Sequence, residues 1–145
     1  MKNRFIAALL SFVIPGFGQI YNKQFAKGIT LLVIENIINK LANINLALML
    51  SLNGHAREAL STVHFDHALF YPGFFALATF DAVLFAENDL NKNGAFWFVI
   101  SGLVGTMGII YSNNLPIPVF SVGFTMIVLM LIGTYGCSRT KQNSA

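Results

Sequence analysis

The residues best suited to chemistry in this chain are ionisable and amide side chains set inside apolar segments. Glu35, Asn36, Asn39, Lys40 and Asn43 fall, at 100° per residue, within about 140° of one helix face. Leu31, Leu32, Ile34, Ile37, Ile38 and Leu41 lie mostly outside that arc. Asp81 stands on the next apolar segment, which runs back the other way. Counted from the expected cytoplasmic ends of the two segments, Glu35 is about 10 Å deep and Asp81 about 9 Å deep. The two acids could therefore meet, and the long stem of Lys40 could reach back to either. Ionisable groups are costly in lipid unless paired or solvated, which assigns all three to a bundle interior.

Two uses of this stripe compete. Two carboxylates at one depth with a lysine could relay protons, ions or a small solute. Amides and an ion pair could instead tie helices together where lipid offers no hydrophobic drive between them. Small size and the helical spacing of the asparagines favour the tie. A second cluster lies between the first two long apolar segments, where His55, His64 and His67 all fall, with Asp66 between the last two. A His-x-x-His pair with an adjacent carboxylate (His64, Asp66, His67) could start a zinc or copper shell, or orient a ring. That spacing is weak evidence beside the commoner solvated loop histidine, so neither a metal nor another cofactor is expected. The single cysteine, Cys137, excludes an internal disulfide and a Cys-x-x-Cys motif. No nucleophile elbow, zinc-protease helix, phosphate loop, dinucleotide turn or Ser-x-x-Lys dyad occurs, and the expected role is non-enzymatic.

The elements that must position these residues are membrane helices. An apolar fraction of 55%, only 10% charged residues and fourteen Phe leave too little polar surface to coat a soluble domain of 145 residues. Gly28 to Leu52, Ala68 to Ala86, Gly94 to Tyr111 and Ile117 to Tyr135 each give about 27 Å or more as helix, near bilayer thickness. Asn53-Gly54, the stretch Glu87 to Gly94 and the run Ser112 to Pro116 supply the turns between them. Ser101, Gly102, Gly105 and Gly108 form a small-residue groove that another helix, internal or from a second copy, would fill. The net charge of +3 is spread over segment ends rather than gathered with aromatics on one face, so no nucleic acid is expected.

Ahead of the first long segment lies Ile14-Pro15-Gly16-Phe17-Gly18-Gln19-Ile20-Tyr21-Asn22, followed by Lys27-Gly28. Pro-Gly breaks a helix, and the second glycine lets another backbone approach. The run therefore makes a bend. Its P-G-x-G-Q-x-Y-N word and the following K-G resemble the opening of small bacterial and archaeal TM2-like domains. Such domains close with an aromatic-Asp-Ala triplet, an Ala and then an Asn, matched here by Phe80-Asp81-Ala82, Ala86 and Asn88. A similar opening occurs in some sugar-transporter permeases, but the closing motif favours TM2-like. The resemblance covers residues 3–91 and implies membrane architecture without a reaction.

Charge decides the expected topology. If the first segment crosses, Lys2, Arg4 and Arg57 oppose Lys23, Lys27, Lys92, Arg139 and Lys141. If it dips in and returns, seven of these eight share one side and Arg57 alone faces the other. The second split is the stronger positive-inside signal. A cleaved signal peptide over residues 1–18 is the rival reading, weakened by the missing Ala-x-Ala and by the motif running across the cut. The expectation is thus an all-α, polytopic bundle of four transmembrane helices with a short re-entrant or interfacial N-terminal helix. It comprises a TM2-like unit at 3–91, an appended helix pair at 94–135 and a cytoplasmic tail at 136–145, with both termini cytoplasmic in a bacterial cell membrane. Its expected partners are the lipid bilayer and either a membrane protein or a second copy, in an accessory or scaffold role; the alternative is a small proton, ion or solute transporter using Glu35, Lys40 and Asp81.

Overall fold

A computed structural model describes residues 2–87, 90–115 and 117–137. Asn88 of the closing motif, Pro116, Arg139, Lys141 and all but the first two residues of the tail lie outside them. Among the described residues every element is helical and no strand forms. Asn3 starts α1 (Arg4–Val13), its side chain accepting from the Phe5 and Ile6 N–H groups that the first turn leaves free. Pro15 stops it: Ile14, which precedes the proline, is extended at φ −150° and ψ 123°. Gly16 then takes a left-handed φ of 111°, and α2 (Phe17–Tyr21) turns back. The Asn3 N–H donates to Tyr21 Oη at 3.1 Å, and Lys2 Nζ donates to the Asn22 carbonyl. The two ends of this helical hairpin therefore meet.

The segment expected to run unbroken from Gly28 to Leu52 is two helices. α3 (Phe25–Ala42) ends where Asn43 enters the left-handed region at φ 57°, and α4 (Ile44–Leu52) leaves at 64° to it. Asparagine tolerates that conformation better than its apolar neighbours would. The groups freed at the break are served locally. Asn39 Oδ1 accepts the Asn45 N–H at 3.0 Å, and the His64 N–H reaches the Ala42 carbonyl at 3.2 Å. Asn43 Nδ2 donates to Thr62 O at 3.3 Å. The chain between them, α4 with α5 (Ala56–Thr62), is thus an excursion that returns to the point it left. The stretch from Asn53 to His67, expected as a loop, is largely helical.

From there α6 (Phe65–Ala68) leads into α7 (Tyr71–Leu84), and the stretch Phe65–Leu84 is long and apolar enough to cross a membrane. So is Val119–Gly136, most of α9 (Pro118–Gly136). The bent α3–α4 pair makes a third candidate if it counts as one span. α8 (Ala95–Ile110), with 16 residues, gives about 24 Å and falls short of the hydrocarbon thickness on its own. Two or three spans are therefore supported by length and apolarity, one or two fewer than the sequence suggested.

The last two helices pack against the earlier part of the chain. Ala8, Ala76, Val83, Phe98, Met126, Met130 and Cys137 join α1, α7, α8 and α9 in one core, and the rings of Phe80 and Phe98 lie 5.0 Å apart. The small-residue groove of α8 is filled from within the chain. A Cβ at Gly105 would meet Pro72 Cβ at 2.5 Å, one at Gly102 would lie 3.5 Å from Gly73 Cα, and Ser101 Oγ donates to Met126 O at 3.1 Å. Outward, Phe96, Val99, Leu103, Met107 and Ile110 of α8, and Phe120, Phe124, Val128 and Ile132 of α9, are exposed at helical spacing. Such an apolar belt is foreign to the surface of a soluble monomer and suits a protein bathed in lipid.

Candidate functional site

The motif residues converge on the end of the bundle where α1 starts, α3 starts and α7 ends. Asp81 sits at their centre. Its Oδ1 accepts Lys27 Nζ at 2.8 Å, and its Oδ2 accepts Gln19 Nε2 at 2.9 Å. Gln19, fully buried, also donates to Ala78 O at 2.7 Å, and Asn22 Nδ2 donates to Ala82 O at 2.7 Å. These bonds fasten α2 to the backbone of α7. The Lys27 ammonium lies 4.4 Å from the centre of the Phe85 ring, which adds a cation–π attraction at the bundle end. Nearby, Arg4 pairs with Glu87 at 3.5 Å, so α1 is anchored to the chain just beyond α7.

The glycines of the motif explain how close these elements come. A Cβ at Gly18 would lie 2.5 Å from Ala7 O and 2.6 Å from Ala82 Cβ, and would also overlap Ser11 Oγ. One at Gly28 would meet Ile20 Cγ1 at 2.6 Å and the Gly16 carbonyl at 2.9 Å; one at Gly16 would lie 2.5 Å from the Gly28 carbonyl. Gly16 and Gly28 therefore require each other. Ala7, Ala82 and Ala86 pack together beside Tyr21, and Pro15 is fully buried at the bend. The words P-G-x-G-Q-x-Y-N, K-G and F-D-A, far apart in sequence, are one interlocked joint apart from Asn88.

The polar stripe of α3 divides. Glu35 and Asn39 point inward: Asn39 Nδ2 donates to Glu35 Oε1 at 2.9 Å, and Tyr71 of α7 lines the same cavity as Glu35. Asn43 makes the bend. Asn36 and Lys40 are exposed, and Lys40 forms no salt bridge among the described residues. The structure thus brings Asp81 to Lys27 and Gln19, and Glu35 to Asn39 and Tyr71. It does not bring the two acids together, nor Lys40 to either. The reason is the helix ends: α3 starts at Phe25 and α7 stops at Leu84. Glu35 is then about 15 Å along α3 from that bundle end, whereas Asp81 is only about 4.5 Å from it.

The histidines also find other work. His64 Nδ1 lies 2.9 Å from Leu41 O, so its ring and its N–H both serve the end of α3, while His55 Nδ1 contacts Glu58 at 3.3 Å. Among the described residues no three His, Cys, Asp or Glu side chains gather in a way that could hold a metal ion, and Asp66 and His67 are exposed. Sequence reasoning missed Lys27 as the partner of Asp81, although both stand in the quoted motifs. It also missed Tyr71, which lines one cavity with Glu35. No protein-family model matches the chain, and neither a curated protein nor a solved structure matches it.

Proposed function

We propose that the protein is a non-enzymatic, multi-pass membrane scaffold or accessory protein built on a TM2-like unit. In this reading both termini are cytoplasmic, the α1–α2 hairpin dips into the cytoplasmic leaflet and returns, and α3, α7, α8 and α9 make four crossings. The carrying observation is the use of Asp81. Its two oxygens are spent on Lys27 and Gln19, so the charged centre of the motif is a joint between helices. Support for the dip comes from the contact between Asn3 and Tyr21, which holds entry and exit at one level. The relay reading draws less support, because Glu35 and Asp81 belong to different clusters.

Two measurements test this. With Cys137 replaced, single cysteines near Lys23 and Lys92 label from the cytoplasmic side and one near Arg57 from the other; opposite labelling of positions near Arg4 and Lys23 refutes the dip. Purified protein in liposomes passes no protons or monovalent cations above empty vesicles. A flux that Asp81→Asn stops while the fold survives replaces the scaffold with a transporter.

A further inference from the structure

Away from the motif joint, a partly enclosed cavity of about 450 Å³ lies between the end of α1, the middle of α3, α4 and the facing parts of α7 and α9. That volume lies within the range of small-molecule sites. Its walls are mostly apolar, with Phe75, Leu48 and Met126 among them, and the polar groups are few. Glu35 and Tyr71 line it, as do Asn36, Asn45 and Ser112. Ser112 is 5% exposed, and its hydroxyl has no hydrogen-bond partner among the described residues. No Lys, Arg or His stands among the lining residues. Glu35 accepts from the neutral Asn39 amide, and no cationic side chain among the lining residues balances its charge.

We infer that this cavity binds an amphiphile with an apolar body and an ammonium head, the head seated between Glu35 and Ser112. The inference is independent of the scaffold reading and of the motif joint. A carboxylate in an apolar enclosure is costly without a cation, and a ligand that brings the cation removes that cost. A primary ammonium has three donors and no acceptor, which suits Glu35 together with the unpartnered Ser112 oxygen. A fatty acid would set a second carboxylate against Glu35, and a phospholipid would bring its phosphate there. A long-chain alcohol fills the apolar space but leaves the charge unbalanced.

The test uses the full chain in lipid nanodiscs of neutral lipid at pH 7, titrated with dodecylamine, dodecanol or dodecanoate and read by thermal stabilisation and native mass spectrometry. Dodecylamine binds most tightly. Glu35→Gln weakens dodecylamine about ten- to hundredfold, the size of a lost charged hydrogen bond, and leaves dodecanol unchanged. Gly123→Leu removes binding of both without unfolding, because Gly123 lines the cavity and a Cβ there meets no atom within 4 Å. Equal binding of amine and alcohol by the native chain makes the cavity a lipid-chain pocket and overturns the inference. So does tightest binding of dodecanoate, or an amine preference that survives Glu35→Gln.

Discussion

Pairing between Lys27 and Asp81, and not between Lys40 and Asp81, is measurable by double-mutant cycles. Asp81→Asn removes the charge while leaving an amide oxygen to accept from Gln19, so the buried glutamine keeps a partner. Lys27→Met and Lys40→Met each remove an ammonium and keep an unbranched stem. The Lys27 contact is short, at 2.8 Å, but its side chain is 44% exposed and that of Asp81 28%. Ion pairs exposed to water are worth about 0.2–1 kcal/mol, and breaking a fully buried pair costs about 3–5 kcal/mol. A pair near the bundle end, partly open to screening, belongs close to the lower range. The expected coupling is about 1 kcal/mol for Lys27 with Asp81. For Lys40 with Asp81 it stays within about 0.3 kcal/mol of zero, as for sites that share no contact. Equilibrium unfolding in mixed micelles, followed by far-ultraviolet circular dichroism, gives the four stabilities of each cycle. Coupling to Lys40 equal to that for Lys27, or none to Lys27, refutes the joint as drawn and restores the charge cluster expected from helix depth.

Substitutions at Gly18, Gly73 and Asn43 test the close approaches and the bend. Gly18→Ala forces the α1–α2 hairpin off α7 and destabilises by about 1–3 kcal/mol in the same assay, whereas Gly73→Ala, where a Cβ meets nothing within 4 Å, is neutral or gains up to about 1 kcal/mol of helix propensity. Asn43→Gly keeps the left-handed bend and most of the stability, while Asn43→Val loses about 2 kcal/mol or straightens α3 into α4, a change that spin labels at Ile37 and Leu50 read as a lengthened separation.

The helical class and the positions of most segments were legible because lipid-facing helices must be apolar over long runs. Pro15-Gly16 was legible as a bend because both residues act through their own backbone. Asn43 was not. Three asparagines at positions 36, 39 and 43 have the spacing of a polar helix face, and the same spacing serves a helix that ends on one of them. What decides between the two is a partner about twenty residues downstream: Thr62 takes the Asn43 amide, and His64 takes the Ala42 carbonyl. Without those contacts in view, a straight helix satisfies every local rule.

The charge cluster failed for a related reason, and the failure shows what depth arguments require. Residue depth along a helix is fixed by the 1.5 Å rise only once the helix end is known. Placing the start of α3 at Gly28 and the end of α7 beyond Ala86 made Glu35 and Asp81 level. Moving those ends to Phe25 and Leu84, three residues or fewer each, separates the acids by about 10 Å. Lys27, one residue ahead of the expected span, then becomes level with Asp81. The two motifs already held the correct pair, since a lysine and an aspartate at opposite ends of an antiparallel helix pair are neighbours whatever the exact boundaries. Pairing inferred from the order of elements is therefore more robust here than pairing inferred from depth, and it leaves Glu35 with the Asn39 amide and no cation of its own.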